Sequence, residues 1–380
     1  MNILVGPDAF KDAASAEEIS LAFWKGIRRL SPHISVDRCP LADGGEGTAR
    51  ILTQQAGAEW CTASVYGPSG QTVEAGFGWL ASTQTAFLDM AEASGIGYLS
   101  LADRNPLLTT SYGTGQLVHH VLTMGAKNIL LGLGGSATND GGAGMAAALG
   151  YRFFRAGHHC SIPRGKDLAE LTQIVPPQHR PWEKVKLTVL ADVNNPLLGP
   201  QGTSAVYGPQ KGASPTMIAA LEAGLQRLHE LWPASTNQSL PNYPGGGAAG
   251  GMGAGSKAFL GANLVSGADH IFQLLNIEQR ITNSDLVLTG EGRLDRQSLS
   301  GKLVGKIARL AQRHQVPAFA VCGQLALTHE DLRNSGLQAA FAISRKPCAL
   351  SEAISSTLED AAHTVHALLA TYLAGRNGPK

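Results

Sequence analysis

The segment Gly132-Leu-Gly134-Gly135-Ser136-Ala137-Thr138-Asn139-Asp140-Gly141-Gly142 constrains this chain more than any other. It follows the apolar run Asn128-Ile-Leu-Leu-Gly132 and precedes a small-residue stretch, Ala143 to Leu149, that reads as a helix. Glycines on a strand-to-helix turn let backbone N–H groups approach a ligand closely, and the helix N-terminus adds partial positive charge. The polar insert Ser-Ala-Thr-Asn-Asp is denser than a connector requires. The segment reads as an anion site suited to phosphate, set in an α/β fold.

At 380 residues the chain is long enough for two domains, each with its own core. Glycine is high at 46 residues, and most of the excess lies in runs between apolar segments, as in an α/β protein with many backbone-lined loops. A net charge of +1 makes no electrostatic case for nucleic acid or an anionic membrane as partner. The cysteines (Cys39, Cys61, Cys160, Cys322, Cys348) are scattered and odd in number, which disfavours a disulfide framework or zinc site. The opening Met1-Asn-Ile-Leu-Val-Gly6 reads as a strand rather than a signal peptide, and no apolar run reaches membrane-spanning length. These features lead us to expect a cytoplasmic protein.

Along the chain, Asn2–Gly6 reads as a buried strand and Ser15 with Glu18 as a capping box opening a helix. Ile19, Phe23, Ile27 and Leu30 share one face of that helix. Ile34–Pro40 is the next strand, followed by Asp43-Gly-Gly-Glu46 and a helix to about Gly57. Thr62–Tyr66 and Val73–Trp79 flank the turn Gly67-Pro-Ser-Gly70, an antiparallel hairpin that Ala86–Met90 continues. Strands are expected at Leu187–Ala191, Asp285–Thr289, Ala318–Cys322 and Ala339–Ile343, with helices at Thr114–Met124, Leu303–Arg313 and Ser351–Leu373. The glycine- and alanine-rich Pro244–Gly255 runs into a helical pattern at Ser256–Leu260. The economical arrangement is a Rossmann-like doubly wound parallel-sheet domain from residues 1–66 and 285–380. A mixed α/β domain, 67–284, is inserted in it, with the active site expected in the cleft between.

Five polar loops each follow an apparent strand: Asp8 to Lys11, Asp43 to Glu46, Gly134 to Asp140, Asp192 to Asn195, and Thr289 to Asp295. Ligands collect at the carboxyl ends of strands in open α/β sheets, so the five together form a constellation. Each alone could be an ordinary turn or N-cap. No Walker A sequence occurs; Gly301-Lys302-Leu303 lacks the earlier glycine and the final hydroxyl. The dinucleotide fingerprint is a near miss: Gly132-x-Gly134-x-x-Ala137 is present, but Arg152 and Arg155 stand where a ribose-binding acid belongs. An NADP-dependent oxidoreductase therefore stays open as a rival, as does a non-catalytic carboxylate sensor. Neither a GxSxG elbow nor an HExxH helix is present. Phosphoryl transfer needs cations and backbone donors, acids for Mg²⁺ and an acceptor for the hydroxyl proton. Lys11, Lys211, Arg293 and Lys302 are candidate cations; Asp43, Glu46, Asp192, Glu291 and Asp295 are candidate acids. His119-His120 sits mid-helix beside Leu117, Val121 and Leu122, where adjacent side chains point in different directions and cannot easily share a metal. His158-His159 reads as surface in a polar loop, and Met145 and Met252 as packing.

These residues resemble the bacterial glycerate kinases of the class that makes 2-phosphoglycerate. The matching segments run in family order from Gly6-Pro-Asp8-Ala-Phe-Lys11 and Ala42-Asp-Gly-Gly-Glu-Gly-Thr48 through Thr109-Thr-Ser-Tyr-Gly-Thr-Gly115. They continue with Leu133 to Gly144, Asp192-Val-Asn-Asn-Pro-Leu197, Tyr207-Gly-Pro-Gln-Lys-Gly212, Gly247 to Gly253 and Leu288-Thr-Gly-Glu-Gly-Arg-Leu-Asp295. Ala9 stands where the family usually has serine, and Asn194 where threonine is usual. The resemblance implies ATP-dependent phosphorylation of D-glycerate with Mg²⁺. On that basis Gly134, Gly135, Ser136, Thr138, Asn139 and Lys211 are expected to hold ATP phosphates, and Glu291 or Asp295 the metal. Asp192 is the expected base, with Asp43 and Asp295 as alternatives. Arg293 or Lys11 would meet the substrate carboxylate, and Asp8, Asp43, Glu46 and Ser111 would line the substrate site. Phosphorylation at the C3 hydroxyl instead of C2 remains the alternative outcome.

Overall fold

The computed structural model describes residues 1–232, 240–299 and 301–377. Its strands are β1 (Asn2–Pro7), β2 (Ser35–Arg38), β3 (Glu59–Tyr66), β4 (Thr72–Leu80), β5 (Thr85–Asp89), β6 (Asn128–Gly132) and β7 (Arg152–Arg155). They continue with β8 (His158–Cys160), β9 (Leu171–Val175), β10 (Lys186–Ala191), β11 (Asn263–Ser266), β12 (Leu286–Leu294), β13 (Ala318–Leu325) and β14 (Ala339–Ala342). The chain divides into two units, one of Met1–Asp43 with Ala268–Lys380 and one of Gly44–Gly267. The division differs from the expected breaks after residues 66 and 284. The strand β3 pairs along its length with β4, which draws Glu59–Tyr66 and the preceding helix Thr48–Gln55 into the second unit. At the other end, the helix Gly267–Leu274 falls almost entirely in the first unit, and Ile277–Thr282 wholly so.

In the first unit five parallel strands lie in the order β14-β13-β12-β1-β2. Counted along this unit the order is 2-1-3-4-5, a doubly wound sheet whose direction reverses between β1 and β12. The inner strands carry apolar runs, Ile3–Val5 in β1, Leu286–Leu288 in β12 and Ala318–Cys322 in β13, as a sheet covered on both faces requires, while the edge strand β2 is mixed. Ile3, Val5, Leu286, Leu288 and Val321 pack with Ile19, Phe23, Ile27, Val365 and Leu369. The last five come from two helices, Ala16–Leu30 and Leu350–Asn377, laid together on one face. The first helix begins as expected: Ser15 Oγ accepts from Glu18 N, and Glu18 Oε2 accepts from Ser15 N. Ile19, Phe23 and Ile27 are fully buried, and each contributes about 1.5–3 kcal/mol of apolar burial.

The second unit holds a six-stranded sheet in the order β11-β10-β6-β5-β4-β3. The run β11-β10-β6-β5 is parallel, and β4 and β3 add an antiparallel hairpin. A small antiparallel sheet, β8-β7-β9, was not foreseen; His158 and His159 lie on its edge strand rather than in a loop. Arg155, on β7, pairs with Asp167 at 2.8 Å, so this arginine serves the small sheet and not a dinucleotide ribose. Met145 and Met252 are buried in the main core of this unit, as expected. The glycine-rich segment enters the helix Ala248–Leu260, which is interrupted by left-handed backbone at Ala249, Gly250 and Gly251. No helix among the described residues is long and apolar enough to cross a membrane.

Candidate active site

In the first unit the switch between β1 and β12 gathers most of the polar candidates. Pro7 is in register with Gly290, so Asp8, just past the end of β1, lies level with Glu291 on β12. The amide of Asp8 donates to Gly290 O at 2.8 Å, and its carboxylate accepts from Ala9 N at 2.7 Å. Phe10 is driven into the core at 2% exposure, which leaves its neighbour Lys11 exposed at the rim. Asp43 ends the segment that follows β2 and is half-buried.

The stretch Thr289 to Asp295, expected as a loop, instead continues β12 to Leu294, because β13 pairs with it that far. Glu291 and Arg293 therefore stand on a strand, a firmer platform than a loop. Glu291 Oε1 is buried with no hydrogen-bond partner among the described residues. Burial pushes the pKa of Glu291 up to about 7; the nearby Ser298 hydroxyl and Lys302 oppose this, and Asp295 and Asp43 add to it. Asp295 has both oxygens engaged: Oδ1 accepts from Gln297 N and Ser298 N, and Oδ2 faces Arg293 Nε at 3.5 Å. Arg293 itself is 63% exposed, so this ion pair is weak.

In the second unit the glycine segment follows β6, at the carboxyl edge of the parallel strands. Its amides divide into two sets. Gly134 N donates to Gly44 O at 3.2 Å and Ala137 N to Ser94 O at 2.9 Å, so Gly134, expected to hold phosphate, is engaged in the fold. The N–H groups of Gly135, Ser136, Thr138 and Asn139 have no hydrogen-bond partner among the described residues. Gly135 is half-buried and Ser136 7% exposed, whereas Thr138 and Asn139 lie deeper, at 0% and 1%. Gly134 must be glycine for a steric reason: an added Cβ would stand 2.3 Å from Gly45 Cα. That contact stacks the Gly44–Gly47 turn on the anion loop and brings Glu46 beside Gly135, where an added Cβ would lie 3.0 Å from Glu46 Oε2.

Beneath the loop lies Lys211, 3% exposed, donating to Ser136 Oγ at 2.8 Å and Thr138 O at 2.7 Å. Burial lowers its pKa to about 7, although Asp140 pulls the other way. Both described contacts are to the loop, so Lys211 shapes the loop from behind. Ser111 is likewise internal rather than open to substrate: its hydroxyl donates to Asp140 Oδ2 at 2.8 Å and accepts from Met145 N at 2.9 Å. Asp192, just past β10, is exposed and accepts from Ser266 Oγ at 3.1 Å.

Two buried acids in this unit were not singled out from the sequence. Asp140 takes hydrogen bonds from Ser111 N, Ser111 Oγ, Gly142 N and Gly144 N, while burial raises its pKa. Asp89, at the end of β5, accepts from Gly47 N at 2.9 Å and Ala49 N at 3.0 Å, fixing the turn that carries Glu46. Burial drives its pKa up to about 8, opposed by the Ala49 amide. The available signal for Asp89 was an acid at a strand end, weaker than a glycine-rich string.

Among the described residues no group of three His, Cys, Asp or Glu side chains is placed to enclose a metal ion. Glu291 alone, with its unpartnered buried oxygen, fits a cation that takes its other ligands from phosphate and water, the usual habit of Mg²⁺.

A family model described as the glycerate kinase family matches residues 3–373. The chain is 40% identical over 367 residues to a glycerate kinase of Halalkalibacterium halodurans, covering 96% of this chain and 97% of that one. It is 39% identical over 380 residues to a protein of Escherichia coli named glycerate 2-kinase, covering 99% of each. A crystal structure of a candidate glycerate kinase 2 from Salmonella typhimurium LT2 superposes with a TM-score of 0.84 at 39% identity, covering 100% of both chains. The chain belongs to the glycerate kinase family, enzymes that phosphorylate glycerate.

Proposed function

We propose that this glycerate kinase transfers the γ-phosphoryl group of Mg·ATP to the C2 hydroxyl of D-glycerate, giving 2-phosphoglycerate. The observation that carries the proposal is the row of unpartnered amides at Gly135, Ser136, Thr138 and Asn139 above the buried Lys211. Phosphoryl transfer asks for such pre-aligned donors more than for covalent chemistry. The E. coli relative named glycerate 2-kinase supports C2 over C3 as the position.

In this mechanism the Gly135 and Ser136 amides, the more reachable pair, hold the oxygens of the phosphoryl group in transit. Lys211 keeps the loop in shape through Ser136 and Thr138, Asp140 ties its far end to Ser111, Gly142 and Gly144, and Asp89 holds the neighbouring Gly44–Gly47 turn. Glu291, with Asp295 beside it, would hold Mg²⁺, which neutralises charge on the phosphate oxygens when bound. Arg293 pairs with the glycerate carboxylate, a task suited to an exposed guanidinium. Asp192 accepts the hydroxyl proton as the oxygen attacks phosphorus, its orientation set by Ser266. Asp8, Asp43 and Glu46 line the approach of the hydroxy acid. Five free cysteines, two of them buried, fit a reducing cytoplasm as the setting.

A coupled assay tests the proposal: ADP should form only when Mg·ATP and D-glycerate are both supplied. ADP formation independent of glycerate, or none with both present, would reject it.

A further inference from the structure

The first unit contains a cavity of about 630 Å³ that the roles above leave unused. It opens at the carboxyl ends of β12, β13 and β14, between the loop after β1 and the first turns of the helix Leu350–Asn377. Phe10, Lys11, Gly292, Gln324, Ile343 and Ile354 are among its walls. We propose that this cavity is the nucleoside pocket, taking the adenine and ribose of the phosphoryl donor. The inference rests on the ATP reading above and assigns that nucleotide a place.

Position is the first reason. A doubly wound sheet binds its ligand at the carboxyl edge beside the point where strand order reverses, here between β1 and β12. The cavity reaches that point through Lys11 and Gly292. A second cavity, of about 720 Å³, lies at the amino ends of β13 and β14, against Pro317 and Gln338, and is on the wrong edge. The first also falls within the roughly 300–1,000 Å³ usual for small-molecule and cofactor sites.

Chemistry is the second. The apolar side chains Phe10, Ile343 and Ile354 give a flat base somewhere to bury its faces. Gln324 projects from β13 with a side-chain amide that has no hydrogen-bond partner among the described residues. Such an amide offers one acceptor and two donors, the pattern that reads a base edge. At the rim, Arg345 is paired with Asp360 at 3.4 Å and Lys346 with Glu352 at 2.6 Å. Lys11 has no ion pair among the described residues, which leaves it for phosphate. Its amide lies against β12, where a Cβ on Gly292 would stand 3.1 Å from it. A nucleotide seated here would therefore send its phosphates past Lys11 toward Glu291, the residue assigned to the metal.

The test uses the full chain and three variants. Ala353→Trp, on the half-buried face of the long helix, fills the cavity without touching the reacting groups. It should raise the KM for ATP and the Kd for ADP by about tenfold or more, with kcat and the KM for glycerate unchanged. Gln324→Ala, at an exposed position, should narrow the preference for ATP over GTP. Arg333→Trp, in the amino-end cavity, should change none of these. Unaltered ATP and ADP constants in folded Ala353→Trp, with ADP still released from glycerate, overturn the pocket and leave the kinase standing. If the wild type releases no ADP with glycerate, the kinase reading fails, and calorimetric titration with adenosine still decides the pocket. Should Ala353→Trp not fold, an ATP/GTP ratio unmoved in Gln324→Ala rejects the inference.

Discussion

Replacing Lys211 with methionine probes the anion loop at its support. In the native chain the amine is 3% exposed and bonded only to the Ser136 hydroxyl and the Thr138 carbonyl among described partners. Burial drops its pKa from 10.5 to about 7. Between those values the unfolded chain binds the proton and the native chain does not, so the stability linked to Lys211 rises with pH across that window. At 1.36 kcal/mol per unit the whole shift corresponds to about 5 kcal/mol. Urea unfolding of wild type and Lys211→Met at a series of pH values isolates this contribution, because other titrating groups cancel in the difference. From about pH 8 to about pH 10 the wild type should gain roughly 3 kcal/mol on the variant. At about pH 7 the variant also loses the donor to Ser136 Oγ and Thr138 O, at about 1–3 kcal/mol for each oxygen left unpaired. A difference in stability that stays flat with pH would refute the placement of an uncompensated amine under the loop.

Further outcomes follow from the same geometry. Asp192→Asn should lower kcat by roughly 10²–10⁴-fold while ADP affinity, read by calorimetry, stays as in wild type. Glu291→Gln should raise the Mg²⁺ concentration needed for half-maximal rate by about tenfold or more, with the KM for glycerate little changed. Gly290→Ala would set a Cβ 2.0 Å from Val321 O between two central strands. It should destabilise the fold by about 2 kcal/mol or more in chemical denaturation.

Much of the fold could be read from the residues because local and global signals agree. The Ser15–Glu18 capping box and the Ile19, Phe23, Ile27 face each predict the same helix, and that helix is present. The hairpin around Gly67–Gly70 and the strand before the anion loop were equally plain. Domain limits were harder, since β3 is assigned by its partner β4, and pairing across a turn carries no marker of which sheet it joins. Glycines at 290 and 292 imitate a turn, so the sequence reads Glu291 and Arg293 as loop residues; in the structure they sit in a strand held by β13. Within the site, composition revealed which groups were available but not which were already engaged. Gly134, Ser111 and Lys211 all proved to be bonded inward, and only three-dimensional packing decides that. Asp89 carries little local sequence signal, because its partners, Gly47 and Ala49, lie about forty residues away in sequence.

Phosphorus NMR of the product formed from Mg·ATP and D-glycerate tests the central claim most directly. The account predicts a single phosphomonoester resonance, split by the one proton on C2, appearing in step with ADP. A resonance split by the two protons of C3, or inorganic phosphate in its place, would contradict it.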